Sequence, residues 1–71
     1  MKKIPLRERL LRYLQNHQGQ FIAKGALCDL ARDKVGATGE HTGRRLRELH
    51  EEGLIQVEHR NNHSWYCYAT N

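Results

Sequence analysis

Apolar and aromatic residues recur at three- and four-residue spacing in the first part of the chain, which places them on one face of an α-helix. The residues on this face are Leu6, Leu10, Tyr13, Leu14 and His17. Pro5 suits the first turn of a helix, where its missing N–H costs nothing. Leu11 lies well off the apolar stripe, where it can either pack at the edge of the core or contact a partner. The pattern predicts an amphipathic helix over residues 5–17.

A short apolar patch at residues 20–23 is too short for a helix and predicts a brief extended segment. Helical spacing then resumes over residues 24–34, with small and apolar side chains on one side. These side chains are Ala26, Leu27, Leu30 and Ala31. Gly36 can adopt the left-handed conformation that closes a helix, so the second helix is expected to end just before it.

A third helical pattern covers residues 38–52. Thr38 can cap its start, because a threonine hydroxyl accepts a hydrogen bond from the exposed N–H groups of the first turn. Gly53 is the expected stop residue. The face predicted to be buried carries Thr42, Leu46 and Leu49, and the opposite face carries Glu40, Arg44, Arg47 and Glu51.

After the third helix the apolar period changes from helical to two, first over residues 54–59 and again over residues 64–68. This alternation is typical of strands with one buried face. Between them, Asn61 and Asn62 can form a tight turn, because asparagine tolerates positive φ better than most residues. The pattern predicts a two-stranded hairpin over residues 54–69.

The length and composition fit one small α+β domain spanning residues 1–71, since 38% hydrophobic residues supply only a thin core. No apolar run approaches the roughly 20 residues that span a bilayer, and the start of the chain lacks a signal-peptide apolar region. A cytoplasmic protein without membrane contact is expected. The formal net charge of +4 is compatible with a polyanionic partner.

The chemistry of a catalytic or metal site is sparse in this sequence. The chain has no nucleophile motif and no phosphate-binding glycine loop, so no enzyme activity, cofactor or small-molecule ligand is predicted. Its two cysteines are too few for a disulfide framework. His59, His63 and Cys67 recur every four residues, but that spacing does not bring side chains together in a hairpin, so no metal site is predicted.

The stretch from Thr42 to Ile55 resembles the junction between recognition helix and wing in the winged helix-turn-helix superfamily, because a basic helix ends there at Gly-Leu-Ile. Leu30-Ala31 in the second helix fits the same superfamily. Two features depart from it: the turn after Ala31 is about one residue longer than usual, and Thr42 replaces an aliphatic residue. The resemblance implies a winged helix-turn-helix fold and a small prokaryotic or phage-type transcription regulator that binds double-stranded DNA.

In such a protein the third helix enters the major groove, and the wing tip at residues 60–63 reaches the backbone or the minor groove. The predicted DNA-binding residues are His41, Arg44, Arg45, Arg47, Thr38, Lys24, Arg60 and Asn61. Arginine pairs bidentately with guanine or clamps a phosphate. We expect base reading by His41, Arg44 and Arg45, with Arg47 and the wing holding the backbone.

Two glycines in the third helix, Gly39 and Gly43, are predicted to let it approach DNA closely, at a cost of roughly 1 kcal/mol each in helix propensity. The arginines have a second interpretation, as a solvated face with ion pairs at four-residue spacing. Those pairs are Arg44–Glu48 and Arg47–Glu51.

Two other functions are open at this point. Four acidic residues on the third helix favour a protein-interaction module of transcription or assembly machinery; these are Glu40, Glu48, Glu51 and Glu52. RNA binding is the other alternative, since this fold is occasionally used for it. A homodimer is also plausible, because a single recognition helix binds DNA weakly.

Overall fold

The helices and the hairpin form where the apolar periods predict them. The computed structural model describes residues 4–69. The elements in chain order are α1 (Leu6–Asn16), β1 (Ile22–Ala23), α2 (Lys24–Val35), α3 (Gly39–Glu51), β2 (Ile55–Arg60) and β3 (His63–Tyr68). The α+β class is confirmed, and each predicted helix end lies within one residue of the observed one.

The helix ends are set by the residues that the sequence singles out. Gly36 follows α2 with φ 67° and Gly53 follows α3 with φ 76°, a conformation that favours glycine. At the start of α3, the hydroxyl of Thr38 accepts a hydrogen bond from the backbone N–H of His41 at 3.2 Å. The turn between α2 and α3 is therefore only residues 36–38, and α3 starts at a fixed place.

The core is formed by leucines from all three helices together with two residues of the sheet. Its members are Leu10, Leu14, Leu27, Leu46, Leu49, Ile55 and Tyr66. Leu11 packs against this cluster and is partly buried, which is the first of the two roles expected for it. The buried face of α2 is narrower than predicted, since Leu27 and Ala31 are buried whereas Ala26 is exposed and Leu30 only partly covered.

Thr42 occupies a fully buried position on α3. Its hydroxyl donates a hydrogen bond to the backbone carbonyl oxygen of Thr38 at 2.9 Å. A buried hydroxyl costs free energy only when it lacks a partner. The helix itself supplies that partner, so threonine is tolerated at a position where an aliphatic residue was expected.

The sheet is antiparallel in the order β1-β3-β2, with β3 in the middle. Asn61 and Asn62 form the predicted tight turn of the hairpin, with φ values of 50° and 66°. Because side chains alternate along a strand, the hairpin has two faces. The core face carries Ile55, Val57, His59, Ser64, Tyr66 and Tyr68, and the outer face carries Gln56, Glu58, Arg60, His63, Trp65 and Cys67.

An ion pair connects the first turn of α1 to the C-terminal end of α3. The guanidinium of Arg7 in α1 donates two hydrogen bonds to the carboxylate of Glu52, at the end of α3. This contact holds the pKa of the Glu52 carboxyl below its ordinary value. The acidic end of α3 opposes the helix dipole, and the Arg7 contact offsets part of that cost.

Candidate nucleic-acid interface

A groove that encloses about 620 Å³ lies between α3 and the core face of the hairpin. The polar side chains that line it are Lys24, Glu40, Arg44, Arg47, His50, His59, Ser64 and Tyr66. The helical period places Glu40, Arg44 and Arg47 on the side of α3 opposite the buried Thr42 and Leu49. His50 lies on the flank, four residues after Leu46. The core therefore fixes which side of α3 is presented to the groove.

The arginines that form ion pairs all lie outside this groove. They are Arg7, Arg12, Arg32, Arg45 and Arg60. Over residues 4–69, by contrast, Lys24, Arg44 and Arg47 form no ion pair, and all three line the groove. Arg9 and Lys34 also form no ion pair in that range, but they do not line the groove. The groove thus holds three cations that form no ion pair in the described chain, and Glu40 is the acidic residue that lines it with them.

Lys24 reaches the groove from the start of α2 and lies against Gly43 of α3. A Cβ atom at Gly43 would be 3.3 Å from the Nζ atom of Lys24. The sequence predicts that Gly39 and Gly43 open the helix to DNA, but the structure gives the two glycines different neighbours. Gly43 makes room for the Lys24 ammonium, whereas a Cβ at Gly39 would make only an ordinary 4.0 Å contact with the Sγ of Cys28.

The hairpin adds a neutral phenol and an imidazole to the groove. Burial raises the pKa of Tyr66 above its ordinary value, so its hydroxyl stays protonated at neutral pH. The Nδ1 atom of His59 lies 3.2 Å from the Oγ of Ser64. His50 of α3 lines the same groove. The groove therefore combines cationic side chains with a phenol, a hydroxyl and imidazoles that can form hydrogen bonds.

Four residues that line the groove were not predicted as site residues from the sequence; they are His50, His59, Ser64 and Tyr66. A signal for the imidazole on the hairpin was present, since His59 is four residues after Ile55 and so shares its face. His50 is one helical turn after Arg47.

Of the predicted reading surface of His41, Arg44 and Arg45, which are neighbours on α3, only Arg44 lines the groove. His41 is exposed and does not line the groove, whereas Arg45 pairs with Glu48 at 3.0 Å. The expected Arg44–Glu48 and Arg47–Glu51 pairs are not formed among the described residues. Glu48 pairs instead with Arg45, at three-residue spacing. Arg44 forms no ion pair in the described range and lines the groove together with Arg47.

Arg60 of the predicted wing tip lies on the outer face of the hairpin, away from the groove. Its guanidinium is 5.3 Å from the ring centroid of Phe21 and 5.9 Å from that of Trp65. A hydrogen bond from Arg60 also lowers the pKa of the Glu58 carboxyl, which therefore stays charged and offsets the guanidinium. Asn61 is exposed at the turn itself.

The remaining predicted site residue, Thr38, is the N-terminal cap of α3, and its hydroxyl accepts the hydrogen bond from the His41 N–H there.

The hairpin alternation puts His59 on the core face but His63 and Cys67 on the outer face. Within residues 4–69, no group of three or more histidine, cysteine, aspartate or glutamate side chains is arranged to hold a metal ion. In the same range no helix combines the length and apolar character needed to cross a membrane.

Three helices, a short first strand and a C-terminal hairpin that flanks the exposed side of α3 define a winged-helix domain. A solved structure of HOP2, from work on its DNA recognition and protein interaction domains, has the same fold with a TM-score of 0.80. The sequences are 19% identical, and the match covers 90% of this chain and 98% of that one. The predicted winged-helix fold is thereby confirmed.

The family of this winged-helix domain follows from a comparison with protein-family models. The model of the KpnI N-terminal domain matches residues 7–65. The chain therefore belongs to the KpnI N-terminal domain family. No curated protein matches its sequence.

Proposed function

We propose that this domain binds double-stranded DNA, with α3 in the major groove. The observation that carries the proposal is the set of three cations, Lys24, Arg44 and Arg47, which line one groove without an acidic partner in the described chain. Unpaired cations at fixed positions are what a phosphate backbone requires, since each contact releases condensed counterions. The DNA recognition named for HOP2, which shares this fold, supports the same proposal.

The shape of the surface favours a DNA duplex over an RNA duplex. The major groove of B-DNA, about 12 Å wide, admits an α-helix, whereas the major groove of A-form RNA is too narrow for side chains to read. The cationic residues Arg44 and Arg47 are exposed on α3, whose other side is buried in the core. RNA binding is therefore the weaker alternative.

An acidic protein-docking surface on α3 is also less well supported than the sequence suggests. Of the four glutamates that favoured it, Glu48 is held by Arg45 and Glu52 by Arg7. Only Glu40 and Glu51 form no ion pair over residues 4–69. Two separate carboxylates on a helix with two unpaired arginines do not make an acidic surface.

Transcription regulation and dimerisation remain predictions for this DNA-binding domain. Transcription regulation is the role implied by the sequence resemblance, and neither comparison names a regulator. A homodimer would place two copies of α3 on half-sites about 34 Å apart. Sedimentation of the protein with a duplex of about 20 base pairs distinguishes one bound copy from two.

The proposal is tested by fluorescence anisotropy with a labelled duplex of mixed sequence over a range of salt concentrations. Each phosphate contact contributes about −0.9 to the slope of log affinity against log salt. Contacts from three cations therefore predict a slope of about −2.7. An RNA duplex of the same sequence is the control and is expected to bind more weakly. Absence of DNA binding at low salt contradicts the proposal.

Replacing Gly43 by alanine is expected to stabilise the fold and weaken DNA binding at once. Alanine gains up to about 1 kcal/mol in helix propensity, whereas the new methyl group, 3.3 Å from the Nζ atom, pushes the Lys24 ammonium slightly away from its place against α3. We expect a higher melting temperature by circular dichroism and a salt slope reduced in magnitude by up to about 1. The matched control is Gly25→Ala in α2, where a Cβ meets nothing within 4 Å. An unchanged slope in Gly43→Ala contradicts the expectation that the space at Gly43 is needed for the Lys24 contact with phosphate.

A further inference from the structure

Glu40 is the one acidic side chain among the described residues that line the groove. It is exposed and lies in the first turn of α3. Arg44 is four residues further on, the spacing at which glutamate and arginine pair well on a helix, yet the two form no ion pair in the described structure. A free carboxylate thus projects into a groove whose other charged residues are Lys24, Arg44 and Arg47.

The position of Glu40 has a purely structural explanation that must be separated from a functional one. Negative charge in the first turn of a helix is favoured by the helix dipole. That benefit does not depend on which DNA sequence is bound. The dipole also does not account for a carboxylate on a surface that is proposed to contact phosphates. There the carboxylate repels phosphates and weakens binding to every sequence equally.

A carboxylate can only accept hydrogen bonds, and this limits what it can contact on DNA. In the major groove, adenine presents an N7 acceptor beside its amino group, guanine presents two acceptors, and thymine presents one. Cytosine is the base whose major-groove edge offers an amino donor at N4 with no acceptor beside it. The first turns of a recognition helix are also the part that reaches base edges.

We propose that Glu40 is a specificity-determining residue that accepts a hydrogen bond from the N4 amino group of a cytosine; this role rests on the proposed DNA binding. Its charge weakens binding to all sequences, and contact with cytosine offsets that loss at one base pair. Arg44 and Arg47 supply affinity, whereas Glu40 selects the site.

The test is a selection of bound sequences from a randomised duplex library, made in parallel with the wild-type chain and the Glu40→Gln variant. The wild-type protein is expected to select a cytosine at one position, with about tenfold discrimination there. In Glu40→Gln this preference is expected to disappear or move to adenine, since glutamine pairs with adenine N6 and N7. The affinity of the variant for unselected duplex should rise severalfold.

The matched control is Glu51→Gln, which removes the same charge from an exposed residue of α3 outside the groove. It should leave the selected sequence unchanged, so any effect of net charge alone is subtracted. A selected sequence that is identical in wild type and Glu40→Gln, or a wild type that selects no sequence, overturns the role of Glu40. A wild type that retains no duplex at low salt overturns the DNA-binding proposal itself. Circular dichroism of both variants verifies that each is folded.

Discussion

Replacing Arg44 and Arg47 together by alanine is expected to weaken duplex binding by roughly 100-fold, because two charge-assisted contacts to DNA are lost, each worth on the order of 1.5 kcal/mol. The salt slope should fall in magnitude by about 2. Both side chains are exposed and form no ion pair over residues 4–69, so the melting temperature should stay close to that of the wild type. Fluorescence anisotropy at several salt concentrations measures both quantities.

The matched control for this variant is the pair Arg12→Ala and Arg32→Ala. It removes the same two charges from exposed positions, but these arginines pair with Glu8 and Asp29 and lie outside the groove. We expect its affinity to remain within a few fold of wild type, because distant surface charges are screened by salt. An equal loss in the two double variants would mean that net charge, and not the groove, controls binding.

Most of the fold is predictable from the sequence because local chemistry specifies it. The helices follow from apolar residues at three- and four-residue spacing, and their ends from Thr38, Gly36 and Gly53. The hairpin follows from alternation on either side of Asn61 and Asn62. Each of these signals acts within a few residues, so no knowledge of the tertiary packing is needed to find it.

The candidate site is less predictable because its membership depends on which flank of α3 faces the hairpin. Arg45 and Arg47 both lie beside the outward direction of the helix, and the helical period does not say which one meets the sheet. The structure places Arg47 in the groove and Arg45 against Glu48. The sheet order, with β3 in the middle, is likewise a tertiary property.

The face of the hairpin on which Arg60 lies can be predicted from the alternation of side chains along the strand, but not from its charge. Arg60 is the obvious cation of the wing, and a contact with DNA was predicted for it. Alternation from the buried Ile55 puts residue 60 on the opposite face from His59. The phase of the strand, followed from its first buried residue, therefore predicts the groove side of the hairpin better than the charge at its tip.

The second large effect is expected from Leu46→Ala, which removes a side chain with 0% exposure from the core beneath α3. A change of this kind costs about 2–5 kcal/mol, since the cavity fills only partly. Folded domains of this length are stable by only about 4–10 kcal/mol, so the loss is a large part of the total. Urea unfolding followed by circular dichroism measures it. The same substitution at the partly buried Leu11 is the control, and it should cost less than half as much.

Adding DNA to these unfolding experiments separates the core from the groove. A ligand that binds only the folded state at 100 times its dissociation constant stabilises that state by about 2.7 kcal/mol. At duplex concentrations set relative to the wild-type dissociation constant, wild type and Leu46→Ala should both gain this stability, because Leu46 is buried and the groove residues are retained. The Arg44→Ala/Arg47→Ala variant should gain almost none. If Leu46→Ala folds but gains nothing from DNA, then the position of α3 on its core, and not only its arginines, determines binding.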